Sequence, residues 1–327
     1  MINIKKKVKK LFPNLSEYYS LLKMERKDKR VIREITALNS AEYPRYLEKL
    51  YLEKTGHELN LKEPQRYTEK LQWRKLYDLE ESYVQLSDKY KVRSWVEQKI
   101  GKEYLIPLLG VWESFDEIDF NELPESFVLK TNNASHTNII VKNKKDFIKK
   151  KRVYKKKMDY WMSVPFGFLE GLELHYNKIH PVIIAEKFLK PIEGESDLVD
   201  YKFYCFGGKP FICQVIGDRS IGETVDFFDM SWEHVNIKRP PHGNAEKNIT
   251  RPANFNNMVD IVGTLCKGFQ HVRVDLYEHN DKIYFGEMTF TSASGLINFE
   301  PDEWDYKLGD LWNVNTLQVE KSVVYNE

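Results

Sequence analysis

The segment RVDLYEHNDKIYFGEMTF, residues 273–290, holds the chain's densest set of chemically useful side chains. In an extended segment alternate side chains share a face, so Arg273, Asp275 and Tyr277 point one way, and Val272, Val274 and Leu276 the other. On the returning strand Glu287 and Thr289 are expected to share a face with Phe285 and Ile283. A three-residue loop, 280–282, sets Asp275 opposite Glu287, whereas a loop of two or four breaks that alignment. Directly opposed side chains have Cβ atoms about 4.5–5.5 Å apart, and like charges there are destabilising without a cation between them. Two carboxylates so placed suit a hard divalent ion such as Mg²⁺, which takes oxygen ligands and retains waters or substrate phosphates. The same spacing is also met by solvated charges on an ordinary hairpin, paired with Arg273.

A second set of residues suits phosphate. Lys130 ends the apolar run FVLK and is followed by the polar stretch TNNASHTN, residues 131–138, with Ser135 near its middle. A small-residue loop between strands offers backbone N–H donors to phosphates while a strand-end lysine supplies charge. The stretch has no glycine and is not a Walker A sequence, so a plain hairpin loop also explains it. Glu186 and Lys187 interrupt the apolar run 182–189, and a charged pair there needs partners or a ligand unless the strand is half exposed. Asp200, Lys202 and Arg219 flank a later hairpin as holders of phosphate or carboxylate, or as surface charges. Residues 142–157 carry ten Lys/Arg and one Asp, a solvated helix face or an attractor of an anionic glycan, nucleotide or lipid. The KKKVKK patch at 5–10 has no hydrophobic anchor and would touch anionic lipid only marginally.

These residues must be positioned by a chain of 327 residues, long enough for about two domains. Fifty basic and 49 acidic side chains give a net charge of +1, which argues against a surface built wholly for nucleic acid. With 42% apolar and 13% aromatic residues, global disorder is excluded as well. Three cysteines, odd in number and without metal-ligand spacing, fit a reducing compartment, so a cytoplasmic location is expected. The N-terminal residues never supply the apolar run of a signal peptide or membrane span. The first hundred residues read as helical, including a helix with Ser87 as N-cap, apolar Val92, Trp95, Val96 and Ile100, and Gly101 past its end. Strands are expected at 127–130, 138–142, 181–189, 201–206 and 211–216, with a hairpin turn at 207–210. A helix follows Pro252, with Met258, Ile261, Val262, Leu265 and Phe269 at helical spacing. There is no internal repeat at the usual periods and no long Pro/Gly/Ser linker.

Taken in order, EKLQWRKLYD (69–78), SDKYKVRSWVEQKIG (87–101), YLIPLLGVWESFDEIDFNELPESFVLKTNN (104–133), DYKFYCFGGKP (200–210), FFDMSW (227–232) and RVDLYEHNDKIYFGEMTFTSASG (273–295) resemble the TupA-like branch of the ATP-grasp superfamily. The resemblance runs from about Pro64 to Trp312. It implies an α+β ATP-grasp fold, two α+β subdomains gripping a nucleotide, with a helical N-terminal region. Its loosely placed borders are 1–86, helical; 87–190, lid side; and 191–327, with the metal site. ATP and Mg²⁺ are the implied cofactors. Lys130 and the loop bearing Ser135 match the elements that contact and cover the phosphates, and Glu186, Lys187, Phe188 and Leu189 match the hinge strand against adenine and ribose. Asp275, Glu287 and Thr289 match the metal ligands, Arg273 and Lys202 the basic residues near the transferred phosphate. Arg219 and Arg273 are candidates for steering a carboxylate, which a planar guanidinium binds bidentately. Two departures stand out: Thr289 replaces the usual Asn, and Ala134 and His136 stand where glycines commonly sit, restricting the loop's φ values.

The implied activity is an ATP- and Mg²⁺-dependent carboxylate–amine ligation through an acylphosphate, joining an amino acid to a uronic acid or amino sugar in bacterial surface-polysaccharide (capsule, teichuronopeptide) biosynthesis. The implied partners are an amino acid and a glycan or sugar nucleotide, with no nucleic acid, and peripheral contact with the inner membrane face or the polysaccharide-synthesis machinery. A glycosyltransferase of the same setting is the alternative, against which the chain has no Asp-x-Asp; a non-catalytic ATP-grasp-like scaffold is the other.

Overall fold

A computed structural model describes residues 13–191 and 197–314, so the KKKVKK stretch lies outside the described residues. Helices α1 (Pro13–Thr36), α2 (Tyr43–Thr55), α3 (Tyr67–Tyr77), α4 (Glu81–Ser87) and α5 (Val92–Ile100) come first. Strands β1 (Leu108–Trp112), β2 (Phe127–Thr131) and β3 (Asn138–Val141) lead to α6 (Lys144–Lys149), α7 (Lys151–Ser163) and α8 (Phe166–Leu169). Then follow β4 (Ile183–Lys187), β5 (Asp200–Phe206), β6 (Lys209–Gly217), β7 (Thr224–Asp229), β8 (His234–Val235), α9 (Phe255–Leu265), β9 (His271–His279), β10 (Lys282–Thr289) and α10 (Glu303–Asp310). The chain divides into two interleaved compact units: Met1–Leu38 with Pro107–Glu170 and Tyr176–Phe188, and Asn39–Ile106 with Gly171–His175 and Leu189–Glu327. These differ from the contiguous borders 1–86, 87–190 and 191–327, because α3 to α5 pack on the sheet of the second unit while α1 belongs to the first.

In the first unit four antiparallel strands run in the order β1-β4-β2-β3. Alternation decides the faces: Phe127, Leu129, Ile139, Val141, Ile183 and Ala185 share an apolar cluster with Phe115, Phe120, Phe147 and Met158. Lys130 and Glu186 therefore stand on the other face. Tyr154 of α7 stacks on Phe147 with ring centroids 4.9 Å apart, which seats the basic helix on this core.

In the second unit six antiparallel strands run β10-β9-β5-β6-β7-β8. One face buries Phe203, Cys205, Val215, Val272, Val274 and Leu276 under α9, whose Met258, Ile261, Val262 and Leu265 point inward, and under α4 and α5. The opposite face is divided. One stretch, with Tyr204, Phe206, Ile212 and Ile216, packs against Tyr67 and Leu71 of α3 and Leu308 of α10. The other carries Asp200, Lys202, Arg273 and Asp275. Helix α3 is buried along its length, charges included, and its cationic heads find backbone acceptors: Arg74 donates to the carbonyls of His271 (2.9 Å) and Phe290 (3.0 Å), and Lys70 to those of Gly309 and Trp312 (both 2.8 Å).

Three expectations are corrected. Ser87 ends α4 instead of capping the next helix; α5 starts at Val92, and Asp88 caps the intervening turn by accepting from the backbone of Tyr90 and Lys91. Helix α9 stops at Leu265, so Phe269 lies beyond it. The loop between β9 and β10 has two residues, Asn280 and Asp281, both left-handed with φ of 51° and 58°, as a type I′ turn requires. A bulge between Phe285 and Glu287 then adds one residue, so Asp275 pairs with Glu287 after all. The same bulge flips the faces: Met288, not Glu287, joins Ile283 and Phe285 in the core, while Glu287 and Thr289 turn to the charged side. Gly286 makes this geometry feasible, because a Cβ there would lie 2.9 Å from the Tyr277 ring and 3.0 Å from the Asp275 carbonyl oxygen. Strands β1 and β7 escaped notice in the sequence.

Two histidines are sealed in the second unit. His271 Nδ1 donates to the Cys205 carbonyl (2.9 Å) and Nε2 accepts from the Tyr67 hydroxyl (3.0 Å), a neutral tautomer. Burial, then the Arg74 charge, holds His271 well below the ordinary imidazole range; His175 is depressed to about 3 by burial, then by Arg74 and Lys75. A depressed histidine takes its proton first in the unfolded chain, so its stability contribution is full above about pH 6.5 and is lost as pH falls toward the folded value. Urea denaturation is expected to show stability falling between pH 6.5 and 5 by about 1.4 kcal/mol per pH unit for each histidine, with a shallower slope in His175→Gln. A pH-independent stability across that window would contradict it.

Candidate functional site

The polar face of β9, β10 and β5 carries five charges of alternating sign, and Arg219 in the turn after β6 adds a sixth. Arg273 lies beside both opposed carboxylates: Nε to Asp275 Oδ1 is 2.7 Å, and Nη2 is 2.8 Å from Asp275 Oδ2, 3.0 Å from Glu287 Oε1 and 3.0 Å from Thr289 Oγ1. The cation that lets two acids face each other across this hairpin is thus a guanidinium. Lys202, opposite Asp275 in the β5–β9 register, donates to Asp275 and lies 3.4 Å from Asp200. Arg219 closes the row at 2.8 Å from Asp200, with its guanidinium half exposed. Lys89, which the sequence did not single out, adds a fourth cation 3.8 Å from Glu287 Oε2. Asp200, Lys202, Arg273 and Asp275 are buried, whereas Glu287 keeps part of its carboxylate open.

The Asp200 carboxyl is pushed up by burial and by the charges of Asp275 and Glu287, against the pull of Lys202 and Arg219. Burial works against the charge of Arg273, but Asp275 and Glu287 outweigh it and raise its pKa. The Tyr277 hydroxyl is raised by burial and by the same three acids. Two carboxylates and the Thr289 hydroxyl form a hard-oxygen donor set, which suits an ion like Mg²⁺ that draws its other ligands from water or phosphate. They are too few for a cage of protein ligands: among the described residues no group of three His, Cys, Asp or Glu is placed to hold a metal.

The first unit holds the other candidates. Lys130 Nζ lies 2.6 Å from Glu186 Oε2, while Lys187 points to the opposite, exposed side and its backbone N–H donates to Pro107 O at 2.9 Å. The loop after Lys130 is tied at its base by Thr131 N to Thr137 O (3.1 Å) and a 2.7 Å contact between their hydroxyls. The Asn132 side chain accepts from Val182 N (2.7 Å) and donates to His180 O (2.9 Å), hooking the loop onto the start of β4. Ser135 and His136 form the exposed tip, and His136 adopts a left-handed φ of 59° where a glycine would have been unstrained. Phe188 is half-buried at the end of the first unit, and Leu189 is buried at the resumption of the second. The basic stretch 142–157, open to reading as a solvated helix face or an anion attractor, is neutralised in part within the unit: Lys157 and Lys150 pair with Glu17, Lys156 with Glu25, and Lys155 with Asp116 and Asp159.

A sequence model of the TupA-like ATP-grasp family matches residues 69–313, from within α3 past the end of α10. The chain belongs to the TupA-like ATP-grasp family. Among solved structures it is similar to D-alanine–D-alanine ligase from Bacillus anthracis, at 18% identity over 75% of this chain and 71% of that one, with a TM-score of 0.40. The D-alanine–D-alanine ligase of Helicobacter pylori is 12% identical over 76% and 70%, with a TM-score of 0.37. N5-carboxyaminoimidazole ribonucleotide synthetase from Thermus thermophilus is 9% identical over 65% and 47%, also with a TM-score of 0.37. Curated proteins give no match. The family match takes in the whole charged row and the Lys130 loop of this TupA-like ATP-grasp chain and leaves α1 and α2 outside.

Removing one member of a buried ion cluster leaves its partners uncompensated, which costs about 3–5 kcal/mol. Arg273→Met is therefore expected to lower urea stability by about that amount, and millimolar Mg²⁺ is expected to restore part of the loss by replacing the missing cation. A loss below about 1 kcal/mol, with no response to Mg²⁺, would contradict the guanidinium's place between the carboxylates.

Proposed function

We propose that the chain is an ATP-dependent ligase that joins a carboxylate to an amine, with Mg²⁺ held by Asp275, Glu287 and Thr289. The carrying observation is the alternating row Glu287, Arg273, Asp275, Lys202, Asp200 and Arg219, of which all but Arg219 stand on strands; its paired cations and carboxylates are the groups that a charged ligand would engage. When bound, Mg²⁺ would supply neutralisation of charge on phosphate oxygens. Arg273 and Lys202 would supply more of it from fixed positions in a buried setting, where a preorganised cation stabilises developing charge without reorganising. Lys130, restrained by Glu186 in the first unit, is assigned to phosphate, as is the loop bearing Ser135. The strand end Glu186, Lys187, Phe188 and Leu189 is assigned to adenine and ribose.

In the proposed reaction a substrate carboxylate oxygen attacks the γ-phosphorus of ATP in line, the bond to the β–γ bridging oxygen breaks, and ADP leaves. The amine nitrogen then attacks the carbonyl carbon of the acylphosphate, the carbon–oxygen bond to phosphate breaks, and the amine loses a proton as the amide forms. The partly exposed Arg219 is assigned to orienting the carboxylate, with Arg273 supporting it from inside the row. A uronic-acid carboxyl or an amino sugar of a surface-polysaccharide intermediate is the proposed acceptor, with an amino acid as the other substrate, in keeping with the family. Near-neutral net charge favours these partners over nucleic acid. Among the described residues no helix is long and apolar enough to cross a membrane, and a cytoplasmic setting with peripheral contacts at the membrane is proposed.

Lys130→Ala and Glu287→Ala are each expected to lower ATP turnover by at least about 100-fold while leaving the circular dichroism spectrum unchanged. Undiminished turnover in either variant removes that residue from the mechanism. The substrate class is tested by incubating the protein with ATP and pools of amino acids and uronate-bearing glycans. Mass spectrometry should find an amide product together with ADP and phosphate; ADP formation without any amide would reject ligation.

A further inference from the structure

Helix α1 precedes the part of the chain that the family match covers, and its surface is patterned for a specific seat. Glu17, Leu21, Glu25, Asp28, Ile32 and Ile35 recur at intervals of three and four residues, so one stripe carries three acids and three apolar side chains. That stripe meets the basic helix of the same unit. Lys157 lies 2.8 Å and Lys150 3.5 Å from Glu17, Lys156 lies 3.2 Å from Glu25, and the Tyr160 hydroxyl donates to Asp28. Leu21 enters a buried cluster with Tyr160, Val164 and Phe166, flanked by Ile32 and Leu169. The remaining member of the cluster comes from the loop after Lys130: Ala134, 1% exposed in an otherwise polar stretch.

A loop meant to move freely over a ligand has no need of a buried anchor at its centre. Here the base is tied by Thr131, Asn132 and Thr137, and the middle is held by the Ala134 methyl in a pocket that α1 helps to close. Only the tip, Ser135 and His136, is left open. We propose that α1 is a positioning element for this loop: docked on α7 and α8, it completes the apolar seat of Ala134 and holds residues 131–138 in a single conformation for phosphate binding. The proposal rests on the nucleotide reading given above, and it assigns to Leu21, Glu17 and Ala134 a role exercised through the loop, without contact with the reacting atoms. The ion pairs that dock α1 are partly exposed and so individually weak and salt-sensitive, which leaves Leu21 as the main anchor.

The test uses the full chain and two readouts. Hydrogen exchange of the ligand-free protein is expected to show amides 132–137 losing about tenfold or more protection in Leu21→Ala, with β2 and β4 unchanged. KM for ATP is expected to rise about five- to tenfold with kcat at saturating ATP preserved, a split that general destabilisation does not give. Glu17→Lys should loosen the same amides, and adding Lys157→Glu should restore both exchange and KM. Unaltered loop exchange in Leu21→Ala and Glu17→Lys overturns the proposal, as does a loosened loop with an unchanged KM. A wild type that binds no ATP overturns the functional reading and this role with it, an outcome distinct from wild-type ATP binding that is indifferent to α1.

Discussion

Two carboxylates cannot sit opposed on neighbouring strands, one of them buried, unless positive charge lies against them. That constraint organises the second unit. Asp275 and Glu287 face each other because Gly286 bulges β10 by one residue, and they are tolerated because Arg273, two residues from Asp275 on β9, reaches both. Lys202 on β5 and Arg219 in the turn after β6 extend the balance to Asp200, whose carboxyl is pushed up by burial. The apolar face of the same sheet, packed by α9, α4 and α5, supplies the rigidity that holds such a row in register. A charged arrangement of this kind is weak as a source of stability, because desolvation of its charges offsets much of their attraction.

Much of this was legible from residue types. Alternation placed Arg273 and Asp275 on the side opposite Val272 and Val274, and the long strands were visible as apolar β-rich runs. The opposition of Asp275 and Glu287 was anticipated from a three-residue loop, whereas the chain reaches it with a two-residue turn and a bulge. Those two routes give the same pair but opposite faces for Met288, and a pattern of alternation has no means of announcing where it slips by one. Lys89 was missed because its neighbours SDKYK read as the start of a helix, and only the turn capped by Asp88 leaves its side chain beside Glu287. Strand β1 was missed because Leu108 to Trp112 is partly buried throughout and shows no alternation.

Long-range ion pairing was equally hidden. The run of lysines at 142–157 reads as a free cationic face, yet its partners Glu17 and Glu25 lie more than a hundred residues earlier, on a helix whose acidic stripe is diluted by other charges in sequence. The interleaving of the two compact units has the same origin: α1 is drawn to the basic helix by complementary charge and a small apolar seat, and α3 to the large sheet by Tyr67 and Leu71, regardless of their order in the chain. The family match spans both the charged row and the Lys130 loop, and Ala134 packs that loop into a buried cluster with Leu21 of α1.

The central claim, that the opposed acids hold a divalent ion together with ATP, is tested most directly by electron paramagnetic resonance of Mn²⁺ used in place of Mg²⁺. One Mn²⁺ per chain is expected to lose its free-ion spectrum only when ATP is also present, and Glu287→Gln should return that spectrum to free Mn²⁺·ATP. Immobilised Mn²⁺·ATP of equal strength in the variant, or none in the wild type, would contradict the account.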